Sequence, residues 1–593
     1  LGRSLFDIRR LIFDVQPFKA LSTGVIAMAE LDRRTFLAYF STIGLSTTLF
    51  PGVLWSIVQE RQHPRITREM LDEAERIAGV EFTDPERDLM LQGLNSNLEA
   101  FETLRTVELP NAVPPALYFN PIPPGMTLSR PAAPTRRSDV RVENVPADLE
   151  QLAFWPVTHL AALVQTQRVR SVDLTRMYLG RLKKYGPKLE CVIRLTEDLA
   201  LEQARRADAE ISRGEYRGPL HGIPWGAKDL LAEDAYRTTW GAMPYKDQVI
   251  AEDATVVKRL EQAGAVLVAK LTLGALAWGD VWYEGRTRNP WNYEQGSSGS
   301  SAGSAAATAA GLVGFSIGTE TWGSIVSPCT RCGATGLRPT FGRVSRDGAM
   351  ALSWSMDKIG PICRSVEDCA LVFDAIHGPD GRDLSVVDQP FGWDAEFDVG
   401  RLRVGYLQSA FEQAREEQAE WKRFDDRTLE TIRGMGFDLI PVELPQLPVG
   451  SMSFILNVEA AAAFDELTRS NRDELMVRQV RNAWPNVFRQ SRFVPGVEYL
   501  HANRVRTLLL QAMAETMTAV DVYVTPSFVG DNLLLTNLTG HPCVVLPNGF
   551  RSDATPTSIS FIGGLFAEAE LLAFAKAYQD ATEFHLRNPK LQT

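Results

Sequence analysis

Residues 296–311 read GSSGSSAGSAAATAAG, and the chain runs on through Gly314-Phe-Ser-Ile-Gly318 into Gly318-Thr-Glu-Thr-Trp-Gly-Ser-Ile-Val-Ser-Pro328. A Gly/Ser run taken alone has the composition of a flexible linker. Here it leads directly into Ala305-Ala-Ala-Thr-Ala-Ala310, a strong helix former. Small residues at the opening of a helix let backbones approach closely and aim N–H groups at an anionic or oxyanionic ligand. The stretch holds no GxxxxGK[ST] pattern, so it is not a phosphate-binding P-loop.

The following segment places Ser324 directly after Gly323, in the setting of an activated nucleophile whose neighbouring N–H groups form an oxyanion hole. Histidine is the usual activator, yet none lies between residues 222 and 376. Lys228, in His221-Gly-Ile-Pro-Trp-Gly-Ala-Lys-Asp229, is the candidate base. A lysine serves as a base only where burial lets it be neutral near working pH, and the apolar, glycine-rich flanks suit burial. Without the two serine-bearing segments, Lys228 would read as a solvated surface lysine.

Farther out, amphipathic helices alternate from about residue 151 onward with short apolar runs such as Ala265–Ala269 and Val522–Thr525. That alternation predicts an α/β layer fold around a parallel or mixed sheet. Residues 61–109 predict helices: Thr67 caps the first, with Met70, Leu71, Ala74, Ile77 and Ala78 at three/four spacing, and a second run covers about 84–108. Residues 110–150 begin with a Pro-rich stretch, Pro110 to Pro134, which reads as an extended linker or strap. Arg33-Arg34, followed by an apolar, Ser/Thr-rich run, resembles a twin-arginine export signal spanning 28–60, with residues 36–58 able to associate with a membrane. Because residue 1 is Leu and Met28 lies five residues before Arg33, residues 1–27 read as an upstream extension of the reading frame. The resulting expectation is an exported, periplasmic or membrane-anchored protein, with a cytoplasmic one as the alternative.

The composition narrows the function classes. A net charge of −11 without a long basic block argues against nucleic acid as a partner. Six cysteines in 593 residues are too sparse for a disulfide scaffold. Cys329 and Cys332 have no second pair at zinc-site spacing and no HExxH occurs, so no metal and no cofactor are expected.

Read in chain order, GIPWGAKD, GSSAGSAAATAAG, GTETWGSIVSP and CGATGLRPTFGRVSRDGAM resemble the amidase signature family. Leu352–Pro361, Cys363–Ala370, Asp521–Pro526 and Asn537–Gly540 continue the likeness, which spans about 151–590. The resemblance implies an amidase signature catalytic domain over 151–593, with a large mixed β-sheet flanked by helices. It also implies a Ser-Ser-Lys triad. Lys228 matches the base, Ser300 the bridging serine after a cis Gly299–Ser300 bond, and Ser324 the nucleophile 24 residues on. The N–H groups of Thr321, Trp322, Gly323 and Ser324 then match the oxyanion hole. Two positions depart from the pattern: Trp322 stands where Gly or Asp is common, and Val326 where Arg is common, which removes a charge suited to an anionic or tRNA-linked substrate.

Seven of the 12 tryptophans lie within residues 225–354. Aromatic walls favour apolar or aromatic acyl groups, and Trp225, Trp278 and Trp354 are the candidate substrate contacts. The expected activity is hydrolysis of a small amide, or of an ester or carbamate, by a protein able to pair as a homodimer. The alternatives are an aminoacyl-tRNA amidotransferase A-type subunit, which works with partner subunits, and a non-catalytic binding protein on the amidase fold.

Overall fold

The structure, a computed structural model, describes residues 65–592 apart from 105, 108, 114, 116, 129–134 and 414–418. The readings made for residues 1–27, for Arg33-Arg34 and for 36–58 lie outside the described residues. The chain divides between residues 108 and 109 into two compact units.

The described part of the first unit is a helical hairpin, α1 (Arg68–Ala78) and α2 (Asp84–Leu104). Thr67 caps α1, its hydroxyl accepting from the Met70 N–H at 3.5 Å, and Gly79 ends the helix in the left-handed conformation at φ 70°. The two helices are clamped by Arg87, whose guanidinium forks onto the nearly buried Glu75 carboxylate at 2.9 and 2.8 Å. No described helix is long and apolar enough to cross a membrane.

The second unit is built on one 11-stranded sheet. Its strands, in chain order, are β1 (Val192–Leu195), β2 (Pro224–Lys228), β3 (Val266–Leu271), β4 (Phe315–Glu320), β5 (Thr335–Arg338), β6 (Lys358–Cys363), β7 (Val404–Leu407), β8 (Ile440–Val442), β9 (Val522–Pro526), β10 (Cys543–Phe550) and β11 (Pro556–Gly563). Across the sheet they run β1-β3-β2-β4-β6-β5-β10-β11-β9-β7-β8. The sheet is mixed: β3-β2-β4 and β9-β7-β8 pair parallel, and the strands between them pair antiparallel. The apolar runs at 265–269 and 522–525 fall on β3 and β9. Every residue of β2, β3, β4, β6, β9 and β11 is buried, as expected of strands covered by helices on both faces.

Four more helices matter for the site: α3 (Ala302–Ala309), α4 (Val326–Cys332), α5 (Phe454–Ala463) and α6 (Gly496–Thr516). All eight residues of α3 are buried, and the helix lies across β2, β3, β4 and β6. Its small side chains set the closeness of that packing. A Cβ added to Gly303 would sit 2.5 Å from both the Thr272 nitrogen and the Cys191 oxygen. The Gly/Ser run is therefore no linker: it is the tightly packed entry to the central helix.

Candidate active site

Lys228 is the last residue of β2 and is fully buried. Its Nζ donates to Ser300 Oγ at 2.8 Å, Thr319 Oγ1 at 2.8 Å and Ser301 Oγ at 3.1 Å. Burial pushes the lysine down to about 7, against the pull of the Asp357 and Glu320 carboxylates, which favour the charged form. A substantial neutral fraction therefore exists near neutral pH. His221, in the same sequence segment, is held elsewhere: it accepts from the Arg217 N–H at 3.1 Å and lies 3.0 Å from Glu210.

The peptide bond between Gly299 and Ser300 is cis, as the family resemblance implies. Two loops meet here. The Ser301 N–H donates to the Ser324 carbonyl at 3.1 Å, and the Ser298 and Ser327 hydroxyls share a hydrogen bond of 2.6 Å. The structure thus joins Lys228 to Ser300 directly and laces the Ser300 loop to the Ser324 loop. It does not join the two serine hydroxyls: Ser324 Oγ makes no hydrogen bond within the chain among the described residues. Ser300 is buried, and Ser324 is 8% exposed at the edge of the site.

The turn that presents Ser324 depends on Gly323, at φ +84°, a conformation L side chains rarely adopt. The N–H groups of Trp322, Gly323 and Ser324 find no acceptor within the chain among the described residues, which leaves them able to receive a ligand oxygen. Trp322 is 44% exposed beside them.

Glu320 stabilises this turn from below. One carboxylate oxygen accepts from the N–H groups of Ile325 and Val326 at 2.9 and 3.0 Å, at the start of α4. The other accepts from Arg338 at 2.7 Å and Asn537 at 2.8 Å. Burial alone would raise this carboxyl, but the Arg338 charge and the four hydrogen bonds win and hold it at about 2. Sequence reading missed Ser301, Thr319 and Glu320 as site residues. All three stand inside the quoted motifs, yet their partners come from other strands and from residues as distant as Asn537.

A cavity of about 260 Å³ borders the site, walled in part by Thr319, Thr321, Leu230, Met350, Leu352 and Trp354. Asp357 fixes its floor, accepting from Thr321 Oγ1 at 2.5 Å and from the Leu352 and Ser353 N–H groups at 2.8 and 2.9 Å.

Of the three tryptophans expected to contact substrate, Trp354 lines this cavity. Trp225 is a correction. It is buried and stacks on Phe315 at 6.1 Å, because β2 is covered on both faces and its large apolar side chain fills the core. Trp278 is half-buried under the Arg478 guanidinium, 4.3 Å from the ring centre, and does not line this cavity. Among the described residues no group of His, Cys, Asp or Glu is placed to hold a metal ion.

Known proteins share this arrangement of chain and fold. The Amidase family model matches residues 173–533. The A-type subunit of the glutamyl-tRNA(Gln) amidotransferase from Moorella thermoacetica is 32% identical over 487 residues, covering 74% of this chain and 99% of that protein. The native peptide amidase of Stenotrophomonas maltophilia superposes with a TM-score of 0.66 at 29% identity, covering 75% of this chain and all of that one. A bacterial aryl acylamidase of the amidase signature family shares the fold, with a TM-score of 0.64 at 21% identity over 73% of this chain and 98% of that one. With the family model matched over residues 173–533 and its α/β fold shared with the peptide amidase, the chain belongs to the amidase signature family.

Proposed function

We propose that this protein hydrolyses small linear amides with apolar or aromatic acyl groups through a serine acyl-enzyme. The observation that carries the reading is Lys228: buried, held near 7, and 2.8 Å from Ser300, beside a cavity that Leu230, Met350, Leu352 and Trp354 wall in part. Neutral Lys228 takes a proton from Ser300, which takes one from Ser324 as Ser324 Oγ attacks the amide carbonyl. Hydrogen bonds between catalytic groups tighten once substrate is held, and here that contact is Ser300 to Ser324. The N–H groups of Thr321, Trp322, Gly323 and Ser324 receive the oxyanion. The proton returns along the relay to the leaving nitrogen, and water, activated by the same relay, releases the acid.

The identity to amidotransferase A-type subunits favours a second reading, in which the chain is an amidotransferase subunit that acts on an amide together with partner subunits. Val326, where family members often carry Arg, weakens it. Purified protein assayed on aryl amides, peptide amides and glutamine separates the two. Turnover of aryl or peptide amides by the lone chain supports the first reading. Turnover of glutamine alone supports the second.

A further inference from the structure

The family match begins at residue 173, yet one wall of the cavity comes from well before it. Asn111 clips the Pro-rich strap to the 350–352 loop: its Nδ2 donates to the Ala351 carbonyl at 2.9 Å, and its Oδ1 accepts from the Ala351 N–H at 2.7 Å. Downstream of that clip, Pro115, Leu117, Tyr118 and Phe119 line the cavity beside Thr319 and Thr321. The same four residues, with Trp354, also line a second cavity of about 450 Å³. Residues that face two cavities stand between them, so the strap and Trp354 separate the two chambers.

The charged groups of the second chamber, Glu459 and Arg506, are already engaged. Glu459 accepts from the Ser353, Ser355 and Tyr499 hydroxyls at 2.6, 2.7 and 2.8 Å. Arg506 donates to the Leu538 carbonyl at 2.6 Å and to Ser355 at 2.8 and 2.9 Å. Phe119 covers that guanidinium, its ring centre 3.6 Å away. Beside the Tyr118 phenol, what the chamber offers a ligand is mainly apolar: Val458 and Ala462 of α5, Leu500 and Leu510 of α6, and Leu117 and Phe119 of the strap. Leu117 and Leu500 are 73% and 56% exposed, so the chamber presents apolar surface that a ligand would cover.

We propose that the strap makes this second chamber a distal substrate subsite. The substrate class is an amide carrying an elongated apolar arm, alkyl or aryl-alkyl, that passes the Phe119–Trp354 partition. The inference rests on the amide-hydrolase reading and extends it to substrate length. Burial of apolar area removes each further methylene from water, so affinity grows with the arm until the chamber is filled.

The test is a series of acyl p-nitroanilides from acetyl to decanoyl, with kcat and KM measured separately. For the wild type, kcat/KM should rise with acyl length through a falling KM. Ala462→Trp, at an exposed position facing the second chamber, should lower the decanoyl-to-acetyl ratio of kcat/KM by about tenfold or more. Val458→Phe is a milder filling variant and should lower the ratio in the same direction. Phe119→Ala widens the partition and should shift the preference toward bulkier arms. Turnover that does not depend on acyl length, or filling variants that lower every substrate equally, would overturn the subsite and leave the amidase reading standing. Turnover of no anilide by the wild type would overturn the amidase reading, and this inference with it.

Discussion

At the scale of single residues the proposed chemistry rests on Lys228. Its proton affinity is lowered by burial to about 7, so kcat/KM should rise with pH through that value to an alkaline plateau. His221→Ala should leave the profile in place, because His221 is engaged by Arg217 and Glu210. Loss of the titration with His221 would refute the lysine base. Stability gives an independent reading of the same residue. In the unfolded chain Lys228 keeps its proton to the ordinary 10.5, while in the folded chain it releases it near 7. Across that window the unfolded state binds more protons, so this residue's contribution makes the fold more stable as pH rises. The stability of wild type minus that of Lys228→Met, from urea unfolding, should climb between pH 7 and 10.5 by up to about 1.4 kcal/mol per unit and flatten outside it. A flat difference would mean an unperturbed lysine. Trp322→Gly should change substrate preference more than the rate on a small amide, since the indole stands exposed beside Ser324; equal loss on every amide would mean the indole only supports the turn. The meeting of Lys228 with Ser300 was legible because each sits in a short motif of its own. Trp225 was misplaced because a one-dimensional pattern cannot say which tryptophans face a cavity and which face the core.

At the scale of elements, the turn between β4 and α4 is set by Glu320, which joins the N–H groups at the start of α4 to Arg338 on β5. Glu320→Gln keeps the shape but removes the charge facing a fully buried guanidinium. Breaking a buried pair in this way costs roughly 3–5 kcal/mol, read as a fall in the urea midpoint, and kcat should drop more than KM rises because the turn presenting Ser324 loosens. A midpoint within the error of wild type would show that Arg338 is satisfied without Glu320. The helix-forming run at 305–310 and the apolar strands were readable from composition and alternation. The Glu320 cluster was not, because Arg338 and Asn537 join it only when the sheet assembles.

At the scale of the whole molecule, the sequence alternation pointed to an α/β layer fold, and the sheet is indeed mixed; its strand order is a product of pairings that no local pattern encodes. The cavity is likewise assembled from the strap, the 346–359 segment and residues 382–385, so its shape was beyond local reading. All of these residues lie after position 109. A chain beginning at residue 109 should therefore react at Ser324 as the full chain does, and loss of reactivity would assign the first unit a role in the site. The most direct test of the serine-lysine chemistry uses the full chain: treatment with a fluorophosphonate, mass spectrometry of the adduct, and amide turnover in parallel. One adduct is expected, on Ser324, with labelling and turnover both lost in Ser324→Ala and strongly reduced in Lys228→Ala at neutral pH. An adduct on another serine, or undiminished turnover by Ser324→Ala, would contradict it.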